Sequence, residues 1–252
     1  MNFEYDVIVV GGGHAGCEAA HAAAKMEART VLITMDMNKL AQMSCNPAMG
    51  GIAKGQIIRE IDALGGMSGI VTDNSTIQFR MLNRSKGPAM WSPRAQCDRK
   101  GFSAEWRKIL ERTDNLHIWE EETRMLILEG GRVRGVETAL GIRFMAKAVI
   151  MTTGTFLNGI MHVGLSKISG GRWGDEASTG ISEQLANLGF SVDRLKTGTS
   201  ARLDGRTIEF SDMIEQKGDE KPGNFSYLGS GGIKGEQLSC FLTYTNEEVH
   251  EE

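Results

Sequence analysis

The sequence predicts an α/β fold. A parallel sheet opens with a β-α-β unit and is interrupted by an antiparallel meander, and the start of a second, inserted α/β domain follows. Three observations carry this expectation. Residues 5–34 read as strand, glycine turn, helix and strand. Residues 116–147 hold three or four short strands separated by glycine-containing turns. From residue 205 onward the chain turns polar and rich in turn residues. On this reading residues 1–204 form the first domain and 205–252 begin the second.

Each element follows from local chemistry. YDVIVV at 5–10 is a short apolar run rich in Val and Ile, the pattern of a strand buried on both faces. The alanine-rich stretch 15–26 is a strong helix former. TVLIT at 30–34 is a second buried strand, completing a unit of about 30 residues. The stretch 43–55, MSCNPAMGGIAKG, reads as neither helix nor strand. In 52–64 the apolar positions 57, 58, 61 and 64 have helical spacing, and Gly65-Gly66 stops the run. Residues 96–111 read as a further helix. The meander turns at 129–132 and 139–142, ahead of a last buried strand at 148–153. Residues 176–189 read as a helix ending at Gly189. LSCFLTY at 238–244 reads as a strand, and the acidic NEEVHEE end packs against nothing.

The glycines carry the first chemical inference. Gly11, Gly13 and Gly16 make G-x-G-x-x-G between strand and helix, with Ala20 four residues on. The first glycine permits the tight turn, the second lets the backbone approach a pyrophosphate, and the third lets helix and sheet pack closely. The helix start then offers free N–H groups and partial positive charge to phosphate. His14 reads as a helix-start residue rather than a catalytic one. An acid usually ends the second strand to hold ribose hydroxyls; here Thr34 stands there, with Asp36 two residues later. No Arg follows, so nothing points to a 2′-phosphate pocket. A β-α-β unit broken by a meander, then a strand ending at Thr153-Gly154, is similar to the FAD domain of the glutathione-reductase type. NAD dehydrogenases continue instead with alternating helix and strand.

Composition narrows the class further. No run of 18 apolar residues is present, so no membrane span is expected. The opening residues carry acids where a signal peptide would carry bases. The four cysteines (17, 45, 97 and 240) have no CxxC or zinc spacing, which fits reduced thiols in a cytoplasmic protein and no metal. Net charge is −4, yet residues 80–108 hold eight Lys/Arg against two acids. A local basic segment on an acidic chain suits a phosphate-bearing ligand. If FAD lies over the glycine turn, SCNPAMGG wraps the flavin half. Asn46 and the bare backbone of Gly50 and Gly51 would then lie close to the cofactor, and Cys45 near the redox ring.

Longer motifs stand in a recognisable order: GGGHAGCEAA, MSCNPAMGGIAKG, REIDALGG, IQFRMLNRSKGPAM, SPRAQCDR, TTGTFLNGIMHVG, GGRWGD, RLKTGTSARLDGRTIEFS and TYTNEEVH. From Asp6 onward the chain resembles the MnmG (GidA) family of tRNA uridine-5-carboxymethylaminomethyl modification enzymes. The resemblance implies a cytoplasmic, homodimeric FAD protein that acts with the GTPase MnmE on the tRNA wobble uridine. Methylenetetrahydrofolate supplies the one-carbon unit, glycine or ammonium the amine, and NADH the reducing equivalents. The resemblance also implies cofactor contacts at the turn (Gly11, Gly12, Gly13, His14, Ala15, Gly16), at Thr123 on a meander strand, and at Ser178. Cys45 matches a functionally implicated family cysteine and is the catalytic candidate. Lys86, Arg94 and Arg99 fall in family motifs on the basic segment and are assigned to tRNA or folate.

The chain departs from the family pattern at Cys97, at 199–202 and at Ser239. Family chains are more than twice as long, so an amino-terminal piece that retains FAD incompletely and is inactive alone is expected. A folate- and FAD-dependent tRNA uridine methyltransferase, or a non-catalytic FAD-binding or dimerising module, are the rival readings.

Overall fold

The computed structural model describes residues 2–229, 233 and 235–251. Parts of the turn-rich GSGGIKGE stretch, residues 230–232 and 234, lie outside them. In chain order the elements are β1 (Asn2–Val10), α1 (His14–Lys25), β2 (Thr30–Thr34), β3 (Ala48–Gly50), α2 (Lys54–Ala63), α3 (Ser68–Ser75), β4 (Thr76–Leu82) and β5 (Ser92–Cys97). Then come α4 (Arg99–Glu111), β6 (Leu116–Glu120), β7 (Thr123–Glu129), β8 (Arg132–Thr138), β9 (Arg143–Met151), β10 (Ile160–Val163) and β11 (Ser166–Ser169). The last are α5 (Ile181–Asn187), β12 (Ile214–Gln216), β13 (Cys240–Leu242) and α6 (Glu247–Glu251).

Contacts divide the chain into two units that are discontinuous in sequence, whereas the linear expectation places one boundary near residue 204. The first holds Met1–Ser44, Gly65–Met67 and Arg99–Thr197; the second holds Cys45–Leu64, Ser68–Asp98 and Gly198–Glu252.

The first unit is built on a six-stranded sheet in the order β6-β2-β1-β9-β8-β7. Strands β6, β2, β1 and β9 run parallel, with Val10 beside Ile33 on one side and Met151 on the other. Strands β7, β8 and β9 form the meander. Along β1 and β2 side chains alternate between faces. Ile8, Val10, Val31 and Ile33 pack with Leu126, Val136 and Phe144 of the meander in one fully buried cluster. Phe144 stacks on Phe3 at 5.3 Å and meets Trp119 edge-on at 5.4 Å. Val9 and Leu32 alternate to the other face, the side on which Cys17 and Ala20 of α1 and Phe102, Trp106 and Leu110 of α4 are also fully buried. Truncating a buried aromatic such as Phe144 to Ala costs about 3–5 kcal/mol.

Three expectations for this unit are corrected. Leu116–Glu120 is no part of the meander; it is the outer parallel strand beside β2, in register from Thr30↔Leu116 to Thr34↔Glu120. No separate buried strand occupies 148–153. Strand β9 runs unbroken from Arg143 to Met151, pairing with β8 in its first half and with β1 along its whole length, and its second half is only partly covered. The helix expected at 176–189 starts at Ile181, because Ser178 is engaged in a parallel bridge to Leu157.

The second unit has a three-stranded antiparallel sheet, β3-β5-β4, and a hairpin of β12 and β13. The stretch 43–55 is therefore not free of regular structure: it contains β3, and α2 begins at Lys54. Residues 96 and 97, expected in a helix, end β5, and α4 starts at Arg99. Two carboxylates, the buried Asp62 and the half-buried Asp73, tie down the 225–227 segment. Asp73 accepts from the amides of Phe225 (2.6 Å) and Ser226 (2.9 Å), and Asp62 from that of Tyr227 (2.8 Å). Helix α6 lies in the acidic stretch expected to pack against nothing, and it is exposed throughout.

Candidate functional site

The glycine turn sits at the carboxyl end of the parallel strands in the first unit. The Gly11 amide donates to the Ile33 carbonyl at 2.8 Å, so the turn starts where β1 leaves the sheet. Gly11 has φ +104°, a conformation open to glycine, and a Cβ there would stand 2.4 Å from the Thr152 carbonyl oxygen. A Cβ on Gly12 would meet Leu40 and the Thr34 hydroxyl at 2.6 and 2.7 Å, and one on Gly16 would lie 1.8 Å from the Gly11 carbonyl oxygen. Gly13 differs: nothing lies within 4 Å of its missing Cβ. Gly13 is also the N-cap of α1, and no side chain caps that helix. No side chain therefore fills the space beside this helix start, and a helix start without a side-chain cap is where an anion can bind. Gly11, Gly12 and Gly16 are required by packing, whereas packing leaves room for a side chain at Gly13.

Thr152 is a residue that sequence reasoning missed. Its hydroxyl donates to the carbonyls of Val10 and Gly11, both at 2.9 Å, and its amide to Val10 at 2.8 Å. It pins the glycine turn to the end of β9. Its signal in the sequence is its place at the head of the TTG stretch, just before Thr153 and Gly154. Those two follow in the chain, and Gly154 (φ +58°) also faces open space. His14 opens α1, and Ala15 follows it in the first turn. The His14 ring nitrogen Nε2 lies 3.0 Å from the Ala41 carbonyl and the ring packs on Phe102, a structural placement.

Thr34 ends β2, buried against Gly12. Asp36, two residues on, is engaged locally. Its carboxylate accepts from the Asn38 amide at 2.8 Å and pairs with Lys39 at 3.1 Å. Glu120 reaches in from β6 and accepts from the Met37 amide at 2.6 Å. Lys39 also pairs with Asp175, which pairs with Arg172 at 2.6 Å, and Arg172 donates to Ser44 at 3.0 Å. Burial pushes the Asp175 carboxyl up, but the Lys39 and Arg172 hydrogen bonds outweigh it and hold its pKa below the usual carboxylate value. This string ties the loop after β2 to the GGRWGD segment.

Thr123 and Ser178 are brought together. Both are buried, and the Ser178 hydroxyl points at the Thr123 carbonyl at 3.5 Å. The Thr123 hydroxyl and Glu122 Oε1 are buried without a hydrogen-bond partner among the described residues. Unsatisfied buried polar atoms are costly, and a ligand that supplies the missing partners explains them. The residues present therefore fit a dinucleotide: bare backbone for its diphosphate, and orphaned polar atoms on the meander strand.

The remaining candidates lie in the second unit, apart from Arg99 at the start of α4. The half-buried Cys45 thiol donates to the Gly198 carbonyl at 2.8 Å, Asn46 accepts from the Ser200 hydroxyl at 3.2 Å, and Arg202 donates to the Cys45 carbonyl. Gly50 (φ +92°) is demanded by packing, since a Cβ would meet the Pro93 carbonyl and the Phe225 ring; Gly51 faces open space. Lys86 lies in a short helical turn and Arg94 in the middle of β5. The basic segment 80–108 is not one face within either unit. Residues 80–94 belong to the second and 99–108 to the first. Arg84 pairs with Asp219 (2.8 Å), Arg107 with Glu111 (2.7 Å) and Lys108 with Glu105 (3.8 Å). Burial pushes the Cys17 thiol up to about 12 and that of Cys97 up to about 11, so both are inert. Among the described residues, no group of three His, Cys, Asp or Glu side chains is placed to hold a metal ion. No helix among them is long and apolar enough to cross a membrane.

Sheet order, glycine turn and meander together define the class: an α/β protein with a Rossmann-type FAD-binding fold. Residues 6–252 match the family model described as glucose inhibited division protein A, and the chain belongs to that family. It is 60% identical to the tRNA uridine 5-carboxymethylaminomethyl modification enzyme MnmG of Parabacteroides distasonis and 61% identical to that of Porphyromonas gingivalis. Each match covers 100% of this chain and 40% of the relative. The chain thus spans about two fifths of the length of these curated relatives. A solved structure of Aquifex aeolicus GidA superposes with a TM-score of 0.94 at 47% identity, covering 98% of this chain and 42% of that one. The GidA-related protein of Thermus thermophilus, at 24% identity and a TM-score of 0.57, shares the fold.

Proposed function

We propose that this chain supplies the FAD-binding part of an enzyme that modifies carbon 5 of the tRNA wobble uridine with a carboxymethylaminomethyl group. Identity of about 60% over the whole chain to relatives bearing that name supports the reading. The observation that carries the cofactor part is the open cradle at Gly13 on an uncapped helix start. Gly11–Gly16 hold the diphosphate, Thr34 a ribose hydroxyl, Thr123 and Ser178 the adenine end, and Thr153 and Gly154 the continuation of the cradle. FAD held there would supply the redox chemistry between NADH and the one-carbon unit from methylenetetrahydrofolate, with glycine or ammonium as the amine.

The chain's own residues bind, orient and exclude water. Thr152 fixes the turn that presents the amides. Cys45 is the candidate for chemistry, with Asn46, Gly50 and Gly51 beside it in the second unit as further cofactor candidates. Lys86, Arg94 and Arg99 contact tRNA phosphate or the folate tail. The protein works as a cytoplasmic homodimer with the GTPase MnmE, residues 1–204 forming the FAD domain and 205–252 the start of an inserted one. Turnover by the 252-residue chain alone is expected to be absent, since it covers 40% of those relatives.

The test is an absorption spectrum of the purified chain after FAD addition and gel filtration. Co-eluting bands near about 375 and 450 nm, the signature of an oxidised flavin, support the reading. A protein peak with no flavin in excess of the buffer, on a column equilibrated with FAD, overturns the cofactor assignment.

A further inference from the structure

The sheet of the second unit places two arginines face to face. In the antiparallel pair β4–β5, Arg80 stands directly opposite Arg94. Their neighbours Phe79 and Ala95 are buried at 2% and 0% exposure, so alternation turns both arginines to the other face. That face is covered at both ends. At one, Gln78 donates to the carbonyls of Gln216 and Leu238, and Cys240 lies against Gln78 and Gln96. At the other, the Ser92 hydroxyl meets Gln56 of α2 at 3.2 Å. Between them sit the two half-buried arginines. Among the described residues, no carboxylate pairs with either, and neither guanidinium has a hydrogen-bond acceptor. The acid that does reach this edge, Asp219, is taken by Arg84 and the Met81 amide.

Like charges directly opposite in a sheet destabilise it. Two half-buried guanidiniums opposite each other on one sheet face are explained when an anion between them neutralises both. Each presents a planar fork that takes one side of a tetrahedral phosphate, through its two non-bridging oxygens. We propose that Arg80 and Arg94 together clamp a single backbone phosphate of an RNA strand. This rests on the tRNA reading above and adds to it a second arginine, Arg80, and a stoichiometry of one phosphate.

The test titrates the FAD-loaded 252-residue chain into fluorescently labelled, unmodified tRNA at about 50 to 200 mM KCl. Wild type is compared with R80Q, R94Q and the double variant. Each single variant is expected to lose affinity on the order of tenfold and to flatten the log–log salt slope by about one. The double variant should go little further, because the same phosphate is lost. Melting temperatures of the single variants should match or exceed wild type, since a like-charge pair is relieved. Unchanged slopes with tight wild-type binding overturn the clamp and leave the tRNA reading standing. So does a double variant that loses two slope units, which means two separate phosphates. Lower melting temperatures in both single variants also overturn it, by showing the arginines to be structural. A wild-type chain that holds FAD and binds no tRNA at the lowest salt overturns the tRNA reading and the clamp with it.

Discussion

Two glycines three residues apart should respond in opposite ways to the same added methyl group. At Gly16 the new Cβ would lie 1.8 Å from the Gly11 carbonyl oxygen and 2.7 Å from the Thr152 hydroxyl. Comfortable heavy-atom contact is about 3.5 Å, so the overlap is large. The nearest atom is backbone, so no side chain can swing away, and the start of α1 must lift from the sheet. Overpacking of this kind costs about 3 kcal/mol or more, which lowers the melting temperature by roughly 6–12 °C in a chain of this size. At Gly13 the new Cβ meets nothing within 4 Å, and the backbone (φ −76°, ψ −174°) suits alanine. Gly13→Ala therefore loses only about 1 kcal/mol or less, through the poorer N-cap. Its methyl instead fills the approach to the helix amides, and the FAD dissociation constant should rise about tenfold or more, equivalent to about 1.4 kcal/mol. Circular dichroism melts and flavin-fluorescence titrations on both variants separate the effects. If Gly13→Ala binds FAD as wild type does, the diphosphate does not lie over that amide. If Gly16→Ala melts with wild type, the turn is not packed as described.

Two further outcomes follow from charge and burial. The Asp175 pKa is lowered in the folded chain, so its contribution is present above the unfolded carboxyl value of about 3.9 and is lost as pH falls through the lower native value. Between pH 7 and pH 3 wild type should lose more melting temperature than Asp175→Asn; parallel curves would remove the Lys39–Asp175–Arg172 string as a stabilising element. Cys17 and Cys97 are buried whereas Cys45 and Cys240 are half-exposed. At pH 8, dithiobis(nitrobenzoate) should titrate about two thiols quickly and the other two only in denaturant. Cys45→Ala should remove one fast thiol, and four fast thiols in the native chain would contradict the packing around α1 and β5.

The legibility of the sequence tracked how local each constraint is. The glycine turn, α1 and β2 were read nearly to the residue, because a left-handed Gly11 and a closely packed Gly16 act within a few residues of chain. Strands β4 and β5 were not read. Their polar positions (Gln78, Arg80, Arg94, Gln96) lie on a partly covered face, and Pro93 stands in what proves to be the central strand, where a missing N–H argues against pairing. The parallel place of β6 was not read either, since an alternating strand looks the same whichever partner it finds.

The order of residues alone determined that a β-α-β unit would open the chain with a bare-backbone turn, and that a meander would follow, because those features depend on backbone freedom and side-chain period. Tertiary structure alone decided which residues act on the turn from afar. Thr152 reaches it only because β9 lies beside β1, and Arg80 meets Arg94 only through the β4–β5 register. Pairing across a sheet depends on which distant strands bury each other's faces, and no short stretch of chain encodes that by itself.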